Sequence, residues 1–330
     1  MRRLFFVLLC TFLSLPAQAS YFSNIYFFGD SLTDVGNVHN LSGIPAESLP
    51  YDDAGRASNG PIYADYLAQG LGFTATPSTS GGNNYAFGGA RTRYQLFGAP
   101  FMGILDQINA FTGLSGSADS QALYVVWGGS NNLQDLIVGK KVDALGNPIP
   151  DLFSTVADLI SGIQSLYNDG ARTFLVPNVP DLGLTPRVSE YGSQAVFIAN
   201  LLSLQFNELL GLALTELDKT LADIEIIAFD TYGALNDIVA NPGDYGLTDT
   251  THRCYTGDDL KFTGGGSVCS TPESYLFWDG IHPTTTVHAI LGAEMLAAVP
   301  EPGTMMLIAT ALLALGMVTR RPTRGRTKHA

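Results

Sequence analysis

Two short runs, near opposite ends of a 330-residue chain, carry the side chains that nucleophilic acyl transfer requires. In the first, Phe27-Phe28-Gly29-Asp30-Ser31-Leu32-Thr33-Asp34, a serine stands just past an apolar stretch, inside a turn made by Gly29 and Asp30. In the second, Trp278-Asp279-Gly280-Ile281-His282-Pro283, an acid and an imidazole lie three residues apart. A serine hydroxyl is a poor nucleophile until a base takes its proton, and an imidazole works best when an acid fixes its tautomer. Asp279 and His282 can meet within one tight turn. The remaining task for the fold is to bring Ser31 to them.

The elements that could do so alternate along the chain. Residues 25–28, 122–127, 173–176 and 224–229 are short, β-branched or aromatic, and bounded by turn residues, as buried strands are. A weaker strand is expected at 73–75. Residues 61–69, 102–111, 152–167 and 194–221 carry helical patterning, and Pro283 suits the first position of a last helix running through His288 to Ala298. Such alternation implies a parallel sheet covered on both faces. In such sheets the active groups gather at the carboxyl ends of the strands. Ser31 follows the first strand, Gly128-Gly129-Ser130-Asn131-Asn132 follows the strand ending in Trp127, and Asn84 to Ala90 lies between them. All three are expected at one edge.

Four motifs in this order resemble those of GDSL-type lipases and acylhydrolases of the SGNH hydrolase superfamily. They are Gly29-Asp30-Ser31-Leu32, Asn84 to Ala90, Gly129-Ser130-Asn131 and Asp279-Gly280-Ile281-His282-Pro283. The stretches Gly55 to Pro61 and Val176 to Gly183 are also family-like, and the likeness runs from about Ile25 to Val299. It implies a three-layer α/β/α sandwich around a flavodoxin-like, mainly parallel, five-stranded sheet. It also implies hydrolysis of a carboxylic ester through an acyl-serine, with no metal or organic cofactor. By role, Ser31 is then the nucleophile, His282 the base and Asp279 its orienting acid. The backbone N–H groups of Ser31 and Gly89 and the side-chain amide of Asn131 form the oxyanion hole. One departure is Asn132, where the family's third motif usually ends in Asp; a local hydrogen-bond substitution is expected there. Within the same fold, O-deacetylation of a polysaccharide and acyl transfer to another alcohol are alternatives. From another class comes a surface-anchored binding protein with an inactive site.

Plainer roles exist for each residue. Ser31 could be a turn serine, His282 a capping residue, Gly89 a permissive turn and Asn131 a helix cap. Gly128-Gly129-Ser130 hints at a nucleophile elbow, but Asn132 stands where the last glycine is needed. His288 is expected to be packed or at the surface, and His39 has no acid beside it. Asp30 and Asp34 suit hydrogen bonding within the serine turn better than base catalysis. Tyr275, Phe277 and Trp278 could line an acyl pocket or simply fill the core.

Both ends look like addresses. Residues 1–19 have Arg2 and Arg3, an apolar core from Leu4 to Leu15 and Ala17-Gln18-Ala19, the pattern of a secretory signal peptide. Residues 300–330 hold an apolar stretch from Met305 to Val318, short for a membrane span, followed by Arg320, Arg321, Arg324, Arg326 and Lys328. This tail resembles the PEP-CTERM sorting signal, which implies processing by an exosortase and export to the surface or matrix of a Gram-negative bacterium. The domain expected between them is 20–299. It has ten Lys and Arg against 29 Asp and Glu, a net −19, which disfavours nucleic acid and anionic lipid as partners. Contact with a membrane is expected only through the C-terminal segment, and the expected partner of the site is an ester. Cys10 leaves with the signal peptide, and the remaining pair, Cys254 and Cys269, is expected to form a disulfide in an oxidising compartment. That bridge would clasp part of an irregular insertion spanning Tyr245 to Ser274.

Overall fold

Buried apolar strands set the layout. The computed structural model describes residues 22–94, 101–115, 118–143 and 146–300, and Phe22–Val299 forms one compact unit. The segments 1–19 and, beyond Pro300, the C-terminal tail lie outside the described residues. In chain order come β1 (Ile25–Gly29), α1 (Asn37–Ser42), α2 (Tyr63–Gly70), α3 (Ile104–Ser115) and β2 (Leu123–Trp127). Then follow α4 (Ser130–Ile137), α5 (Leu152–Asp169), β3 (Thr173–Pro177), α6 (Pro186–Glu190), α7 (Ser193–Thr220) and β4 (Glu225–Phe229). The last are α8 (Thr231–Ala240), β5 (Asp249–Arg253), β6 (Tyr275–Phe277) and α9 (Thr285–Ala298).

The order β1-β2-β3-β4 is parallel throughout, with Phe27 opposite Val125, Val125 opposite Leu175, and Leu175 opposite Ile227. Successive strand side chains point to opposite faces. Phe28, Tyr124, Val126, Phe174 and Val176 enter one core with residues of α3, α4, α5 and α7. Ile25, Phe27, Leu123, Val125, Trp127 and Leu175 enter a second core with α2, α8 and α9. The result is the expected three-layer sandwich. Both faces are covered, which is why β2 and β3 read as unbroken buried runs.

The edge beside β1 departs from expectation. Residues 73–75 form no strand; instead the chain beyond Pro77 runs beside β1, joined through the Phe27–Asn84 bridge and the bonds of Tyr85 N and Phe87 N to Phe27 and Gly29 carbonyls. Pro77 cannot donate to a ladder, and Asn83 turns its side chain back to Thr74 and Thr76, so pairing stays fragmentary. Four strands therefore make the sheet among the described residues. Pro283 also stands outside its expected helix: α9 starts at Thr285, after Thr284.

A second, two-stranded parallel sheet of β5 and β6 supports the run from Trp278 to Pro283. Cys254 and Cys269 are joined in a disulfide, closing the loop that follows β5. That loop is anchored by bonds from Cys254 N to Phe277 O and from Tyr255 N to Trp278 O. Tyr51, Tyr255 and Trp278 are buried together over it in a small aromatic core.

Candidate active site

Ser31 and the Asp279–His282 turn each sit just past the end of a strand. Ser31 lies two residues past β1, in a turn closed by Thr33 N and Asp34 N donating to Asp30 O. Buried Gln107 of α3 clamps the strand end from the side: Gly29 N donates to its Oε1 at 2.9 Å and its Nε2 donates to Gly29 O at 2.8 Å. Gln107 carries no motif of its own. A polar residue on the otherwise apolar inner face of α3 was its one sequence signal.

The structure brings Ser31, His282 and Asp279 together. Ser31 Oγ is 2.8 Å from His282 Nε2, and His282 Nδ1 is 2.8 Å from Asp279 Oδ2. An ionised carboxylate only accepts, so the proton belongs on Nδ1, leaving Nε2 to accept from the serine hydroxyl. Asp279 is fully buried. Burial works against its charge, but the nearby His282, through charge and hydrogen bond, outweighs it, joined by His282 N–H and Arg187, and the carboxyl is held below its ordinary range. Its Oδ1 accepts from Ile281 N and His282 N, and its Oδ2 accepts from the Tyr51 hydroxyl at 2.9 Å. Tyr51 was not foreseen, because it stands 228 residues from Asp279.

Tyr51 helps to fix the Asp279 carboxylate against the imidazole. Tyr51→Phe removes that hydrogen bond and is expected to lower kcat/KM by about two- to tenfold, the worth of one modest hydrogen bond. Steady-state kinetics on a nitrophenyl ester check it: an unchanged kcat/KM would show that Tyr51 acts on packing alone.

Gly280, between the acid and the base, donates its N–H to Asp259 Oδ2 at 2.6 Å. Asp259 lies inside the disulfide-closed loop and is also paired with Arg187 at 3.1 Å and Arg253 at 3.4 Å. The irregular insertion thus holds the turn that carries His282.

The N–H groups of Ser31 and Gly89 make no hydrogen bond among the described residues, and both residues line one cavity with His282. Gly89 has φ 80°, a conformation that favours glycine. Its loop is held by Asp34, whose carboxylate accepts from Gly88 N, Gly36 N, Asn37 N and Val38 N. Asn131, in the first turn of α4, lines the same site. Its amide donates to Asp30 Oδ2 at 3.2 Å and Ala90 O at 3.1 Å, so both amide hydrogens are engaged here. Burial pushes Asp30 up to about 6, against the opposing pull of Leu32 N–H, His282, Arg91 and Asn131. Asn132 bonds locally, accepting from Thr92 N at 3.1 Å and donating to Thr92 Oγ1.

The competing residues are elsewhere. His288 is buried in α9, accepts from Tyr63 N, and is pushed down to about 3 chiefly by burial. His39 contacts the Pro45 carbonyl. Phe277 lines the site, while Trp278 packs on Tyr51 and Tyr255.

A parallel α/β sandwich holds a serine, an imidazole and a buried carboxylate in hydrogen-bonded series at its carboxyl edge. The chain belongs to the GDSL-like Lipase/Acylhydrolase family, which it matches over residues 25–295, and it carries a PEP-CTERM protein-sorting motif at residues 298–321. Two GDSL esterase/lipases of Arabidopsis thaliana are 26% and 29% identical, covering 83% and 82% of this chain and 88% and 89% of their own. Among solved structures, an acetylxylan esterase from Geobacillus stearothermophilus is 14% identical, with a TM-score of 0.47 over 84% of this chain and 94% of its own. A member of the lipolytic G-D-S-L family from Veillonella parvula is 15% identical, with a TM-score of 0.45 over 84% and 97%.

Proposed function

We propose that this protein is an exported carboxylic ester hydrolase that works through an acyl-serine. The observation that carries the reading is the unbroken series Ser31 Oγ, His282 Nε2, His282 Nδ1, Asp279 Oδ2, with 2.8 Å at each hydrogen bond. In the reaction Ser31 Oγ attacks the ester carbonyl carbon as its proton passes to His282 Nε2. Asp279 stabilises the imidazolium through Nδ1–H. The carbonyl oxygen, now negative, takes the N–H groups of Ser31 and Gly89, and Asn131 joins them by releasing Ala90 O or Asp30. Each such donor is worth about 3–4 kcal/mol to the transition state. Collapse expels the alcohol, which receives the proton from His282. Water then repeats the sequence on the acyl-serine and frees the acid.

Residues 1–19 serve in this reading as a signal peptide, 20–299 as the hydrolase domain, and 300–330 as the sorting segment recognised by an exosortase. The family and the sorting motif support an exported hydrolase over a binding protein, as does a triad already aligned. A fluorophosphonate probe is expected to label the folded protein once, at Ser31, and to abolish turnover of a nitrophenyl ester in the same proportion. Full ester turnover in protein labelled stoichiometrically at Ser31 would refute the assignment.

A further inference from the structure

Ser31 stands between two cavities of different chemistry. One, of about 30 Å³, is lined by apolar side chains including Trp127, Leu182, Leu235, Phe277 and Leu291, and it reaches Ser31, Asn131 and His282. Each of these five is buried, and they belong to the two packed cores, so the cavity walls are the ends of β2 and β6, the turn at Leu182 and the flanks of α8 and α9. The other, of about 140 Å³, also reaches Ser31, Asn131, Gln134 and His282, and its wall mixes Val38, Ile44, Pro45, Leu260 and Phe262 with the charged side chains of Arg91, Arg187 and Asp259.

We infer that the smaller cavity is the acyl site, that it admits only short acyl groups, and that the wider one receives a polar alcohol. This deepens the ester-hydrolase reading and rests on it. An alkyl group gains about 0.8 kcal/mol for each methylene taken from water, which favours the apolar slot for the acyl part. Its volume, however, suits only a few carbons, and walls that are themselves core do not yield without strain costing about 1–3 kcal/mol. The alcohol side differs. Arg91, Arg187 and Asp259 put charged groups on that wall, which suit an oxygen-bearing alcohol.

The test is an acyl series on one leaving group: nitrophenyl acetate, butyrate, octanoate and palmitate, with the whole exported chain. The expected order places kcat/KM highest at acetate or butyrate, at least about 100-fold above octanoate. In Leu235→Ala, which opens the slot, the octanoate-to-acetate ratio is expected to rise at least about tenfold. The wild-type series decides the matter even if that variant fails to fold. Octanoate or palmitate cleaved as well as acetate would overturn the short-acyl slot while leaving the ester-hydrolase reading intact. Cleavage of no ester in the series would overturn both.

Discussion

Ser31→Ala is expected to lower kcat on a short-chain nitrophenyl ester by about 10⁴-fold or more, with KM little changed. In the proposed mechanism Oγ forms the covalent bond, and no neighbour can replace it. Asp30 and Asp34, the nearest alternative nucleophiles, are both turned into the structure: Asp30 toward Leu32 N and Asn131, Asp34 toward four backbone N–H groups. Members of such a triad act as a unit, so His282→Ala should cost about as much, and the double variant little more. What remains is the effect of the oxyanion donors on attack by water, about 10³-fold over the uncatalysed reaction. Because Ser31 contributes little to packing, the Ala variant should unfold at the same urea concentration as the parent. An Ala variant with more than a tenth of parental kcat would place the nucleophile elsewhere.

The second large effect falls on stability. Arg91 and Asp135 form a two-pronged ion pair at 2.8 and 2.9 Å, with side-chain exposures of 7% and 6%. Arg91 also donates to Gly89 O at 2.8 Å, so the pair ties the oxyanion loop to α4. Removing one partner of a buried pair typically costs about 3–5 kcal/mol, since the other is left charged in a poor solvent. Arg91→Met is expected to lose about that much at pH 7 by urea unfolding. The pH dependence gives an independent check. Burial opposes the Asp135 charge, but Arg91, the Tyr94 hydroxyl and Lys140 together hold it below the ordinary carboxylate range. A depressed carboxylate stabilises above its unfolded pKa, about 4, and loses that contribution as pH falls through the folded value. The deficit of Arg91→Met should therefore be full at neutral pH and shrink below about pH 4. A deficit that does not vary with pH would mean the cost is packing rather than charge.

Much of this was legible in the chain, for reasons tied to local chemistry. Strands buried on both faces must be apolar throughout, so β1 to β4 declared themselves. The Asp279–His282 contact closes within one turn and needs no distant partner. Gly29 and Gly89 mark the places where backbone must come close or turn the uncommon way. The fifth strand was less legible. Residues 73–75 have strand-like composition, yet the edge beside β1 is taken by a segment whose few bonds depend on where Asn83 and Asn84 turn their side chains. Pairing of that kind leaves no periodic trace.

Amino-acid order alone thus determined the alternation of elements, the edge at which polar groups gather, and the serine, histidine and aspartate that meet there. Folding in three dimensions decided what each reactive group faces. It brought Tyr51 to Asp279, Gln107 to the end of β1, Asp259 to Gly280, and two cavities of unequal size to the flanks of Ser31. The division has a physical cause. Burial and turn preference are properties of neighbouring residues and can be read locally. A hydrogen bond across 228 residues, or the width of a slot, exists only once separate elements have packed against one another.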